Sequence, residues 1–193
     1  MKSQEHLIIK QLLELEEKEC NISTLSRSCK KDYKTTYNII KRLEKTEIIT
    51  LQKFGNSWRI TFIPKIHPLL FETEYIRRAE LLTNKNIDIM LKYFKDGLKT
   101  PFFILLLFGS YAKHTQTKHS DIDLFFIYPD NDLGFEKKIQ NISSLIPLKL
   151  HINIFTEKEF LAMKKSKEIT VGSEVIKHNI ILHGIESYYE LIQ

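Results

Sequence analysis

Two cysteines are all that the 193 residues contain. Cys20 and Cys29 form no CxxC motif and are too few for a disulfide framework, so a stapled secreted fold is excluded and both read as reduced thiols packed in or beside the first domain. No long apolar segment follows the basic tip of MKSQEHLIIK, and no secretory leader is expected. The longest apolar run, Phe102 to Phe108, falls far short of the roughly 20 residues a membrane span needs. Internal repeats and low-complexity tracts are absent too. These absences leave a cytoplasmic, globular chain without a membrane partner, long enough for one domain or two small ones.

What is present is 42% hydrophobic and 27% charged, with a formal net charge of +5. Met1 to Pro64 hold 12 Lys or Arg against 8 Asp or Glu, whereas the remaining 129 residues hold 17 against 16. The excess is concentrated in the first third, which fits contact with nucleic acid there.

Two apolar stretches flank the most informative polar loop. Phe102 to Phe108 and Ile122 to Ile127 are too short for ordinary helices and rich in aromatic and branched residues, so both read as buried strands. The first ends in Gly109-Ser110, where a glycine lets a phosphate approach the backbone and the next residues can open a helix whose N–H groups attract anions. The second begins with Asp121-Ile122-Asp123, whose alternation predicts both carboxylates on one face and Ile122 in the core. A phosphate cradle beside two carboxylates describes a magnesium–nucleotide site. Between them, Lys113, His114, Lys118 and His119 lie on a loop, where they either neutralise phosphate charge or are simply solvated.

Around that motif the periodicity predicts further elements. Gln4 to Lys18 is an amphipathic helix with Leu7, Ile8, Leu12, Leu13 and Leu15 inward. Ser23 is expected to cap a short second helix that buries Leu25 and Cys29, and Asp32 to cap a third from Tyr33 to Lys45 with Thr36, Ile40 and Leu43 inward. Ile48 to Phe54 and Trp58 to Ile63 form a hairpin through Gly55-Asn56-Ser57. Pro64 and Pro68 bracket a connector. Helices are expected over Leu69 to Thr83, Asn86 to Leu98, Phe135 to Leu145, Glu157 to Met163 (capped by Thr156) and Glu168 to His178. The apolar faces of the first two either pack on a sheet or pair with a second copy of the chain as a homodimer. Lys149 to Phe155 alternates as a strand with Leu150, Ile152 and Ile154 on one face and His151 and Asn153 on the other. Asn179 to His183 is a last strand, Gly184 a break, and Ile185 to Leu191 a closing segment. Lys164, Lys165 and Lys167 form a basic turn that is either solvated or a substrate contact.

Two resemblances rest on these residues. Gly109-Ser110, ten further residues and Asp121-Ile122-Asp123 resemble the signature of the nucleotidyltransferases related to DNA polymerase beta, especially the minimal nucleotidyltransferases. NISTLSRSCKKDYKTTYNIIKRLEKTEIIT and the hairpin after it resemble a winged helix-turn-helix. They imply an α+β chain: a DNA-binding winged helix at 1–64, a helical connector at 65–99 and a polymerase-beta-like nucleotidyltransferase domain with a mixed sheet at 100–193. The first implies that Gly109, Ser110, Lys113 and Ser120 hold a nucleoside triphosphate, ATP first among candidates, and that Asp121 and Asp123 bind Mg²⁺ or Mn²⁺. Its relatives include antitoxins that add AMP to a partner toxin, so a protein acceptor is implied beside a nucleic-acid one. The second implies DNA contacts by Lys34, Thr35, Asn38, Lys41, Arg42, Lys53 and Arg59; a protein-binding role is the alternative. One departure stands out. The family's third carboxylate should lie on the strand holding His151 and Asn153, and no acid is there. His151 is the catalytic candidate in its place, and Glu157 is a residue that can reach in. A nucleotide-sensing transcriptional regulator with a weakened transferase fold is the second reading.

Overall fold

The computed structural model describes residues 4–15, 20–55, 57–166, 168 and 170–193. Contacts divide the chain inside one helix, with Met1–Ile76 and Gln193 in one unit and Arg77–Ile192 in the other. Residues 65–76 of the expected connector thus count with the first unit and 77–99 with the second.

In the first unit, α1 (Gln4–Glu14), α2 (Ile22–Ser28) and α3 (Tyr33–Lys45) precede β1 (Ile49–Phe54) and β2 (Ser57–Phe62), which pair antiparallel. α1 buries His6, Ile8, Ile9 and Leu12, whereas Leu7, expected inward, is exposed. Residues 16–18 of the expected helix lie outside the described residues, as do Asn56 of the hairpin turn and Lys167 of the basic turn. The cap of α2 is Asn21 and not Ser23: its Oδ1 accepts from Thr24 N at 2.9 Å, because the helix starts two residues earlier than expected. Asp32 caps α3 as expected, its carboxylate accepting from Thr35 N at 2.8 Å; the Thr35 side chain and then its backbone N–H hold that carboxylate below the usual range. Asn21 also bridges Arg59 of β2, and Cys20 O accepts from Ile60 N at 3.0 Å, tying the start of α2 to the hairpin. The division between units falls within α4 (Pro68–Leu81).

The second unit is a mixed four-stranded sheet with helices. α5 (Lys85–Leu98) leads to β3 (Ile104–Phe108), the single turn α6 (Gly109–Ala112), β4 (Ile122–Tyr128), α7 (Phe135–Ser143), β5 (Leu150–Thr156), α8 (Glu157–Lys165), α9 (Val171–Lys177), β6 (Ile180–His183) and α10 (Ile185–Ile192). Strand order is β5-β4-β3-β6, with β3 antiparallel to both neighbours and β4 parallel to β5. Phe102 is 73% exposed, so β3 starts two residues later than its composition suggests. α8 has the expected cap, a reciprocal box between Thr156 and Glu159.

The alternation of β4 sorts its residues. Ile122, Leu124, Phe126 and Tyr128 join Leu105 and Leu107 in one core, with Ile87, Met90, Leu91 and Phe94 of α5 and Phe135, Ile139 and Ile142 of α7 above them. Phe94 meets Phe126 edge to face at 5.0 Å. Leu150, Ile152 and Ile154 of β5 pack against the same cluster. On the opposite face Phe125 lies among Phe108, Phe155 and Phe160 of α8.

Candidate active site

β3 and β4 run antiparallel, so the end of one meets the beginning of the other. Phe108 pairs with Asp123, and Asp123 in turn stands beside His151 in the parallel ladder. Three strands therefore deliver Gly109, Asp123 and His151 to one edge in a single row. Side chains at paired positions share a face, and His151 Nδ1 lies 3.0 Å from Asp123 Oδ1. With the carboxylate ionised, Nδ1 is the donor of that bond, and the neutral ring keeps Nε2 as an acceptor. His151's side chain is 66% exposed and that of Asp123 is 24% exposed. The pair is thus solvent-screened and orients more than it stabilises.

Gly109 has φ +67°, and a Cβ built on it would sit 2.1 Å from Asp123 Oδ2. Both facts demand glycine here: the backbone is left-handed, and the carboxylate occupies the space a side chain would fill. One oxygen of Asp123 therefore rests against Gly109 while the other is held by His151.

The other expected site residues are placed as follows. Ser110 follows Gly109 within α6, a single turn, so the anion attraction expected of a helix start shrinks to local N–H groups. Lys113, His114, Lys118 and His119 are exposed on the connection between β3 and β4. Ser120 Oγ accepts from Thr117 N at 2.9 Å and lies 3.2 Å from Thr117 Oγ1, which commits that hydroxyl to shaping its own turn. Asp121 is exposed one residue ahead of β4. Asn153 stands two residues beyond His151, opposite Phe125, and its Nδ2 is buried without a hydrogen-bond partner. Glu157 cannot reach in: it follows the far end of β5, about 20 Å along the strand from His151. Among the described residues no group of three or more His, Cys, Asp or Glu is arranged to hold a metal ion. Asp121 and Asp123 nonetheless supply the hard oxygen donors that suit magnesium, which takes one or two carboxylates and leaves the remaining positions to phosphate and water.

In the first unit the residues expected to meet DNA divide into two groups. Lys34, Asn38 and Lys53 are exposed, and Thr35 is half-buried on the same helix. Lys41 Nζ is bonded to Glu44 at 2.8 Å and lies 5.2 Å from the Trp58 ring centroid, and the Glu44 bond raises its pKa. Arg42 donates to Glu5 Oε1 at 2.7 and 3.0 Å, and Arg59 lies over the Phe54 ring at 5.1 Å. The Arg42 partner had no sequence signal, because Glu5 lies 37 residues away.

Residues 92–187, just under half of the chain, match the family model described as Polymerase beta, Nucleotidyltransferase. The mixed four-stranded sheet fits such a domain. Among solved structures the chain is similar to one described as "Crystal structure of the toxin-antitoxin with AMP-PNP", at 21% identity and a TM-score of 0.37, over 56% of this chain and 80% of that one. No curated protein matches. No helix among the described residues is long and apolar enough to cross a membrane.

Proposed function

We propose that the second unit moves a nucleoside monophosphate from a nucleoside triphosphate, ATP first among candidates, to a hydroxyl of a protein or nucleic-acid acceptor. The observation that carries this reading is the row in which Asp123's carboxylate lies against the side-chain-free Gly109 with His151 beside it. The family match over residues 92–187 supports the same chemistry. In this reading the backbone at Gly109 and Ser110 holds the triphosphate, and Asp121 and Asp123 hold Mg²⁺ or Mn²⁺. The ion, when bound, neutralises charge on the triphosphate oxygens. The chain's own residues do the rest. Gly109 leaves room for the Asp123 carboxylate beside the backbone that holds the phosphates, and His151 fixes the carboxylate's orientation. The acceptor oxygen forms a bond to the α-phosphorus as the bond to pyrophosphate breaks. The proton released by the acceptor goes to Nε2 of neutral His151, where relatives use a carboxylate. Losing a general base costs on the order of 10²- to 10⁴-fold in rate, the fall expected of His151→Ala.

The first unit, in this proposal, is a winged helix-turn-helix that binds DNA through Lys34, Thr35, Asn38 and Lys53, with Lys41, Arg42 and Arg59 joining only after exchanging their internal partners. A second reading, a nucleotide-sensing regulator without turnover, is favoured by one observation: an exposed imidazole occupies the strand position where an acid is expected.

The test incubates the protein with labelled ATP, CTP, GTP or UTP, Mg²⁺ or Mn²⁺ and candidate acceptors, beside the Asp121→Ala, Asp123→Ala double variant. Label transfer by the parent chain alone upholds the transferase. Nucleotide binding without transfer, together with nucleotide-dependent DNA affinity, replaces it with the regulator. A salt titration checks the DNA arm, because phosphate contacts make log affinity fall linearly with log salt; a flat response points to a protein partner.

A further inference from the structure

Of the two roles open to the apolar residues of α5, packing on the sheet or pairing two copies, Ile87, Met90, Leu91 and Phe94 take the first. A second, smaller apolar stripe remains on the helix's outer side. Ile89 is 51% exposed and Tyr93, one turn on, is 45% exposed. Gly97 continues the stripe, and its missing side chain lets Ile142 of α7 lie directly against the helix backbone, since a Cβ there would sit 2.7 Å from Ile142 Cδ1. Leu145, also exposed, completes the far wall. The result is an open groove of about 530 Å³ between α5 and the end of α7, with Lys92 and Asp96 on its rim.

The rim charges identify the occupant. Asp96 has no ion-pair or hydrogen-bond partner among the described residues, whereas Lys92 is held only by an exposed bond to Asp88 at 2.7 Å. Such a surface pair is weak and readily exchanged. Lys92 and Asp96 lie four residues apart on one helix, about 6 Å along its axis. A two-fold axis passing midway between them brings Lys92 of each copy to Asp96 of the other, and the exposed Tyr93 rings meet beside the axis. This surface is therefore complementary to itself in charge as well as in polarity, as an isologous contact requires. We propose that the chain self-associates as a two-fold dimer through antiparallel α5 helices, with Ile89, Tyr93 and Leu145 as its apolar centre and reciprocal Lys92–Asp96 pairs at its rim.

Sedimentation equilibrium on the full chain tests this, with far-ultraviolet circular dichroism verifying that each variant is folded. The parent chain is expected to dimerise, and Tyr93→Glu to be monomeric. Asp96→Lys and Lys92→Asp each set like charges face to face and raise the dimer dissociation constant about tenfold or more. Mixing these two variants restores association, because every contact in the mixed dimer again joins opposite charges; the Lys92→Asp, Asp96→Lys double variant recovers it as well. A parent chain that stays monomeric overturns the proposal. So does a dimer indifferent to Tyr93→Glu, or a pair of charge variants that fail to rescue each other.

Discussion

The two faces of the four-stranded sheet are made from alternate residues of the same strands, yet they end differently. Beneath α5 and α7, Ile122, Leu124, Phe126 and Tyr128 are covered along the whole of β4. On the other face, Phe125 is fully buried among aromatic rings, and two residues earlier Asp123 is partly exposed and bonded to an exposed histidine. The covered face holds the strand, and the open end inherits its position. A carboxylate at the start of a strand whose next five residues are all buried has little freedom to wander. Precision at the polar edge is thus supplied by apolar packing on both sides of the residues that follow it.

The largest effect that probes this contrast is expected from Gly109→Ala. The added methyl collides with Asp123 Oδ2, and φ +67° is strained for any other residue. Displacing the carboxylate by about 1 Å lowers transfer about 10²-fold, read in the labelled-nucleotide assay. Activity equal to the parent's would show that Asp123 is not held by the approach of Gly109.

Next come Phe126→Ala and Phe125→Ala, one on each face. Each is expected to cost about 3–5 kcal/mol in denaturant unfolding. The comparison sharpens in nucleotide binding measured calorimetrically on the folded variants: Phe126→Ala leaves affinity nearly unchanged, whereas Phe125→Ala, on Asp123's own face, weakens it. Equal effects on binding would mean that the two faces support the site alike.

The smallest effect belongs to the covered face alone. Burial, and then the carboxylate of Glu136 bonded at 3.0 Å, push the Tyr128 phenol up to about 12. A folded-state pKa above the unfolded value means that this group's contribution to stability is complete below the ordinary tyrosine range near 10 and is lost as pH rises through about 12. Phenolate absorbance should report that late titration, and Glu136→Gln should bring it down only in part, since burial is the larger cause.

Much of this was legible in the sequence, for reasons that particular residues make plain. Strict alternation of Leu150, Ile152 and Ile154 against His151 and Asn153 identified both faces of β5, and Asp32 and Thr156 marked helix starts because short oxygen-bearing side chains cap locally. Long-range geometry was not legible. The 13 residues from Gly109 to Asp121 impose no strand register, so the motif could place Gly109 and Asp123 in one site but not the pairing of Phe108 with Asp123 that sets their contact. Asn21 outcompeted Ser23 as a cap because the chain also bridges to Arg59 at that point, a tertiary demand on a local choice. Glu157 looked close in sequence to His151, but an extended strand converts six residues into the length of the sheet.

If the first unit binds DNA as proposed, the clasp between Arg42 and Glu5 makes that binding a balance between anions. Any polyanion that recruits this guanidinium must first win it from a carboxylate that never leaves, so measured affinity is the difference between an external and a resident claimant. Neutralising Glu5 therefore tightens attachment to every polyanion alike, raising background adhesion without improving the choice among sequences.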